Sequence, residues 1–270
     1  EKLNAVIQNH KMNQTKAITV EWSEHGPDNI GGRTRAIHVD HTDENIIWAG
    51  AVSGGLYKST NKANNWSRVE NFPGGQFISS IAQDAGGNIY VATGSLDESS
   101  WTGEGLFVSP DGGETWQVVP GTENLPRVNR VAATQYSSKV YFTHNAGLME
   151  YTFGGTIQPA ASYTSNVGSR TLAYAADGLG LVVGSVNHET WFSPDWGATF
   201  QKVSGSGLIS QSGYSRIEYA ISKKKPNGLY SIYAATTTSN NAGQWISLDN
   251  GASWHKHTPS TGADVGNGVI

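Results

Sequence analysis

Six arginines fall at a recurring place in the chain. Arg33, Arg35, Arg127, Arg130, Arg170 and Arg216 each stand at or just before an apolar, β-branched segment. A guanidinium is a rigid fork of donors that grips a carboxylate bidentately, so convergent arginines read as an anion clamp. A second group lies in the polar stretch Thr93–Glu104, where Asp97, Glu98 and Trp101 sit close together with Glu104 at its end. An indole beside two acids is a platform for a sugar or a peptide. His144 and the pair His188–Glu189 occupy similar polar breaks further on, as does 236–241. Three aspartates, Asp111, Asp195 and Asp249, recur inside one short phrase and invite a catalytic or metal-binding reading.

None of these groups completes a known catalytic set. The chain has no Gly-x-Ser-x-Gly and no phosphate loop. His255 and His257 alternate onto one side of a strand, but two ligands do not make a zinc site. Asp40, Asp43 and Glu44 lack the spacing of a calcium loop. With no cysteine, thiolate zinc, disulfides and cysteine catalysis are excluded. No catalytic residue is assigned, and neither a metal nor a cofactor is expected.

The elements that must position these residues repeat. Gly55–Trp66 reads GLYKSTNKANNW, Gly105–Trp116 reads GLFVSPDGGETW, Glu189–Phe200 reads ETWFSPDWGATF and Gly243–Trp254 reads GQWISLDNGASW; a worn copy, GLMEYTFGGTIQ, fills Gly147–Gln158. Their starts at 55, 105, 147, 189 and 243 give periods of 42 to 54 residues. Each period holds four short alternating strands divided by turn residues, which predicts the blades of a β-propeller. The expected fold is all-β, with five blades at about 26–70, 71–120, 121–160, 161–207 and 208–258. In the repeated turn, the Ser and Asp side chains can bond backbone N–H groups and the glycine can take a positive φ. Ser109, Asp111, Gly113 and Trp116, then Ser193, Asp195, Gly197 and Phe200, then Ser247, Asp249, Gly251 and Trp254, are accordingly read as holding turns rather than doing chemistry.

In a propeller the first strand of each blade lines the central channel. Its start opens on the same face as the loops between second and third strands. That geometry gathers the arginines, Asp97, Glu98, Trp101, His144 and His188 on one face. Aligning Ile37, Val131, Leu172 and Ile217 places Arg35 and Arg170 in one phase and Arg130 and Arg216 in the other. Salt bridges between blades therefore compete with an anion clamp as the use of these arginines.

The phrase Ser-x-Asp-x-Gly-x-Thr-Trp resembles the Asp-box (BNR repeat) of sialidase-type propellers. The opening WSEHGPDNIGGRTR at Trp22–Arg35, followed by AIHVDHTDENIIWAGAVSGGLYKST, resembles sortilin-like Asp-box exoproteins, many of them from Bacteroidetes. That resemblance, which runs from Trp22 to about Trp254, implies a propeller, export and often type IX secretion through a separate carboxyl-terminal sorting domain. Xyloglucanase-type hydrolases use the same blades. They carry a first catalytic carboxylate in a Thr-Asp-Val-Gly-Gly turn, but here the turn reads Ala51-Val52-Ser53-Gly54-Gly55, with Val52 at the place of the acid. Retaining and inverting glycosidases both need two carboxylates, so the expected function is a non-catalytic module that binds a glycan or a cell-surface protein, outside the cell or on its surface. The alternative is a glycoside hydrolase with part of its machinery outside this segment.

Composition agrees with these exclusions. Net charge is −4 and charged residues are 15%, which speaks against a nucleic-acid partner. No apolar run is long enough to cross a bilayer as a helix. Residues 1–17 read as a polar tail or short helix ahead of the 18–259 propeller, and 260–270 as the start of a further blade or a tail, so a larger propeller is expected. Components of the type IX machinery are expected only as partners during export.

Overall fold

The computed structural model describes residues 33–94, 102–165, 167–186, 189–203, 216–237 and 243–257. All regular structure among them is β. Twenty strands form five antiparallel sheets of four, each in simple meander order. Blade 1 comprises β1 (Thr34–Val39), β2 (Ile47–Ala51), β3 (Leu56–Ser59) and β4 (Ser67–Arg68). Blade 2 comprises β5 (Ile78–Gln83), β6 (Ile89–Thr93), β7 (Leu106–Ser109) and β8 (Gln117–Val118). Blade 3 comprises β9 (Val128–Thr134), β10 (Ser137–His144), β11 (Gly147–Thr152) and β12 (Gln158–Pro159). Blade 4 comprises β13 (Ser169–Tyr174), β14 (Leu181–Ser185), β15 (Thr190–Ser193) and β16 (Gln201–Lys202). Blade 5 comprises β17 (Arg216–Ile221), β18 (Ile232–Thr237), β19 (Gly243–Ser247) and β20 (His255–His257). The first strands lie side by side in chain order, β1 to β5 to β9 to β13 to β17. This is the predicted propeller. The fourth strands are the shortest, with two residues in blades 1 to 4 and three in blade 5.

The core lies in the seams between blades. Trp48 and Leu56 of blade 1 meet Ile78, Ile81, Ile89 and Val91 of blade 2, and three further clusters fill the seams 2–3, 3–4 and 4–5. One second-strand position dominates them. It holds Trp48, Tyr90, Tyr141 and Val182 in blades 1 to 4, each with no exposed surface.

The Asp-box turns are built as their residue types predict. Ser109 Oγ donates to Asp111 Oδ1 (2.8 Å) and accepts the Gly113 N–H (2.7 Å), while Asp111 Oδ1 accepts the Thr115 N–H (2.8 Å). Ser193, Asp195 and Thr199, and Ser247, Asp249 and Ser253, repeat this network. Blade 1 keeps it with an amide, since Asn61 Oδ1 accepts from Ser59 Oγ (3.1 Å) and from the Asn65 N–H (2.9 Å). Gly113 and Gly197 have φ of +96° and +78°, and an added Cβ would lie 2.4 Å from the Trp48 ring and 2.2 Å from the Tyr141 ring of the preceding blade. The glycine thus answers two demands, a left-handed backbone and an aromatic ring pressed against it. In blade 1 that position is Ala63, held at φ +65°.

Hydrogen bonds tie these turns to the turns between first and second strands, as in Lys62 N–H to Asn45 O, Trp196 N–H to Leu179 O and Asn250 N–H to Tyr230 O. Both sets of turns therefore form one end of the molecule, the turn face. The starts of the first strands and the loops between second and third strands form the other, the mouth face.

Candidate functional site: the channel mouth

The mouth is shaped by an irregularity that strand alternation does not reveal. In blades 1 to 4 the first strand carries a β-bulge two residues before the aligned set Ile37, Ile81, Val131 and Leu172. The extra residues are Arg35, Ser79, Asn129 and Arg170. A bulge bends the strand and re-aims side chains, and here it recurs at the rim of the channel. Arg35 and Arg170 share one level, as their phase predicted, and both are half-buried. The level below them holds Ala36, Ser80, Arg130, Thr171 and Glu218.

Blade 5 corrects the sequence alignment. Its first strand has no bulge, and Tyr219 rather than Ile217 pairs at the level of Ile37. Arg216 therefore does not share the level of Arg130; Glu218 does. Arg130 Nη2 donates to Glu218 Oε1 at 3.1 Å, so blades 3 and 5 are joined past the intervening blade. Arg130 Nη1 also donates to the backbone oxygen of Ser79 on blade 2 (3.3 Å). Both charged side chains are largely buried, 19% and 27% exposed. Blade-to-blade bridging is thus realised for Arg130. Glu218 was not singled out in the sequence, although an acid within the apolar run RIEYAI was the available signal.

His144 ends β10 and is buried, with its ring 6.1 Å from that of Phe142. Burial lowers its pKa, which keeps the imidazole neutral near pH 7. Its Nδ1 accepts a long bond from the Ala146 N–H (3.4 Å), and among the described residues Nε2 has no hydrogen-bond partner. Glu189 is engaged locally. Lys202 Nζ donates to it at 2.6 Å and Trp191 Nε1 at 3.2 Å. The lysine bond, opposed by burial, holds the carboxyl below its ordinary pKa. Val52 is 4% exposed, and its N–H donates to Arg33 O at 2.9 Å. The other predicted mouth residues, Asp97, Glu98, Trp101 and His188, lie outside the described residues. Among the described residues no cluster of three or more His, Asp or Glu could hold a metal, and no helix is long and apolar enough to cross a membrane.

Fold and site together define an Asp-box-type β-propeller with an arginine-rich mouth. No family model matches the chain. Part of it is homologous to xyloglucanases. A xyloglucanase of Paenibacillus sp is 31% identical over 145 residues, covering 46% of this chain and 14% of that protein. One from Acetivibrio thermocellus is 29% identical over 156 residues, covering 48% of this chain and 17% of that protein. The chain thus spans a small part of the length of the curated relatives it matches. The crystal structure of the xyloglucanase from Xanthomonas campestris superposes with a TM-score of 0.55 at 19% identity, covering 80% of this chain and 36% of that one. The structure described as YCF48 bound to D1 peptide gives 0.56 at 13% identity, covering 83% of this chain and 68% of that one. At these identities the structural likeness speaks to the propeller alone.

Proposed function

We propose that this chain is a non-catalytic binding or display module of a secreted, modular bacterial exoprotein of the sortilin-like Asp-box type, and that it contacts a glycan or a cell-surface protein through its mouth face. The observation that carries this reading is Val52. An apolar, buried side chain stands where the resemblance to xyloglucanases calls for a catalytic acid, and a glycosidase lacking one of its two carboxylates loses its acid–base pair. The bulged arginines and the Asp97–Trp101 stretch supply the polar and aromatic groups of the site. Export by type IX secretion, which belongs to the same resemblance, is tested by whether a carboxyl-terminal sorting domain is encoded downstream of Ile270.

The experiment is a glycan and surface-protein screen with Trp101→Ala. The substitution should weaken binding by roughly 1–3 kcal/mol, as expected for burial of one large side chain, and leave the melting temperature nearly unchanged. Unfolding of the variant, or full retention of binding, would remove this loop from the site. The second reading, a glycoside hydrolase, is favoured by the match to the Paenibacillus xyloglucanase. Release of reducing ends from xyloglucan by the purified chain would replace the binding reading with it.

A further inference from the structure

We propose a second binding site, on the turn face of blades 3 to 5, for an anionic polysaccharide. Tyr136 is 63% exposed, Leu179 45% and Tyr174 40%, and the three gather around one turn. They are contiguous. Gly178, at φ +72°, lies against the Cδ2–Cε2 edge of the Tyr136 ring, so that a Cβ there would fall 2.4 Å from Cδ2. The adjacent Leu179 accepts the Trp196 N–H through its backbone oxygen (2.6 Å), and the Trp196 ring meets that of Tyr174 edge-on at 6.1 Å. Trp196 is itself fixed, since its Nε1 donates to Lys139 O at 3.0 Å and its backbone oxygen accepts from the Tyr141 hydroxyl at 3.0 Å.

The border of this patch is basic. The Lys224 N–H donates to Asp177 Oδ2 at 2.6 Å, which sets the run Lys223–Lys224–Lys225 beside the turn that carries Gly178 and Leu179. The Asp177 carboxylate is engaged by backbone N–H groups of Leu179, Gly180 and Lys224. Lys225 Nζ donates to Leu248 O at 3.0 Å, while Lys223 and Lys224 are exposed. In a chain of net charge −4 this is a local concentration of positive charge. A patch of exposed rings marks an interaction site. The arrangement fits a sugar better than a lipid. The Tyr136 ring is held along one edge against Gly178 and its hydroxyl accepts from Gln135 Nε2 (2.8 Å), so an exposed, polar-tipped ring is offered for a pyranose to stack on rather than an apolar anchor for acyl chains. The two ammonium groups complement carboxylates or sulfates along the polymer.

Affinity electrophoresis through gels containing polygalacturonate, dextran sulfate or uncharged dextran tests this. The chain should be retarded by polygalacturonate, dextran sulfate or both, less so at higher salt, and not by dextran. Which polyanion retards it separates a carboxylate from a sulfate ligand. Tyr136→Ala should weaken retention up to about tenfold, as for loss of one aromatic stacking partner. The double variant Lys223→Gln/Lys224→Gln should abolish it, with the melting temperature of both variants close to that of the parent. Absence of retardation by either polyanion, equal retention by dextran, or unchanged retention of both variants would overturn the site. Binding to phosphatidylglycerol vesicles without binding to either polyanion would overturn it in favour of a membrane surface. Loss of polyanion binding in Trp101→Ala would assign the polymer to the mouth and overturn it too, so this site and the mouth site fail separately.

Discussion

Blades 1 to 4 and blade 5 use the same position of the second strand in opposite ways. Trp48, Tyr90, Tyr141 and Val182 have no exposed surface, whereas Tyr233, their counterpart, is 49% exposed. The first strand mirrors this. Ile81 and Val131 are 8% and 5% exposed, but Ile37 at the same level of blade 1 is 67% exposed. All of these are large apolar side chains; what differs is whether, among the described residues, another sheet lies against them. Burial in a propeller is thus a property of the seam and not of the blade. Ala63 shows the same rule from the other side. The glycines of blades 2 and 4 sit under an aromatic ring of the preceding blade, and the first blade has alanine there.

The largest test of this comparison is Trp48→Ala, which should cost roughly 3–5 kcal/mol, as for other buried aromatics. Tyr233→Ala should fall within about 0.5 kcal/mol of the parent. Urea denaturation measures both, and similar midpoints for the two variants would break the distinction between closed seam and open face. Next comes Gly197→Ala, which combines about 1–2 kcal/mol for a left-handed alanine with about 1–3 for overpacking against Tyr141. Ala63→Gly should go the other way, gaining up to about 1 kcal/mol once relief of strain is set against the freer unfolded chain. Destabilisation by Ala63→Gly would show that the methyl group packs. A double-mutant cycle with Arg130→Met and Glu218→Gln should give a coupling of about 0.5–3 kcal/mol for this largely buried pair; additive effects would deny the bond between blades 3 and 5.

The smallest effect concerns acid. The Thr115 bonds hold Asp111 down to about 2, and in Asp195 and Asp249 the turn bonds outweigh burial and also lower the carboxyl. A carboxyl whose folded pKa is depressed stabilises the fold above its ordinary value near 4 and loses that contribution as the pH falls toward the folded value. Stability should therefore decline from about pH 4 to about pH 2. Asp111→Asn should flatten that decline, because Asn61 shows that an amide oxygen can take the same bonds. An unchanged acid limb in the variant would assign it to other carboxyls.

The blades and their turns were legible because period-2 alternation and the Ser-x-Asp-x-Gly phrase are local, and the bonds they predict are local too. The site was less so. A bulge adds one residue without changing residue type, so nothing in TRAIHV or SRTLAY marks Arg35 or Arg170 as the extra residue. In blade 5 the β-branched Ile217 drew the alignment to the wrong level, while register is set by pairing with β18. The Arg130–Glu218 bond and the Tyr136–Gly178 contact join residues 88 and 42 positions apart in the numbering, and only the arrangement of blades brings them together.

Repeat arrays ordinarily couple each unit only to its neighbours, so that stability spreads along them as in a one-dimensional chain and either end can fray alone. The Arg130–Glu218 bond departs from that pattern, because it ties the third unit to the fifth. Fraying of the fifth blade must then break a contact two units away, and amide exchange in the third, fourth and fifth blades should report one shared opening event rather than a graded series.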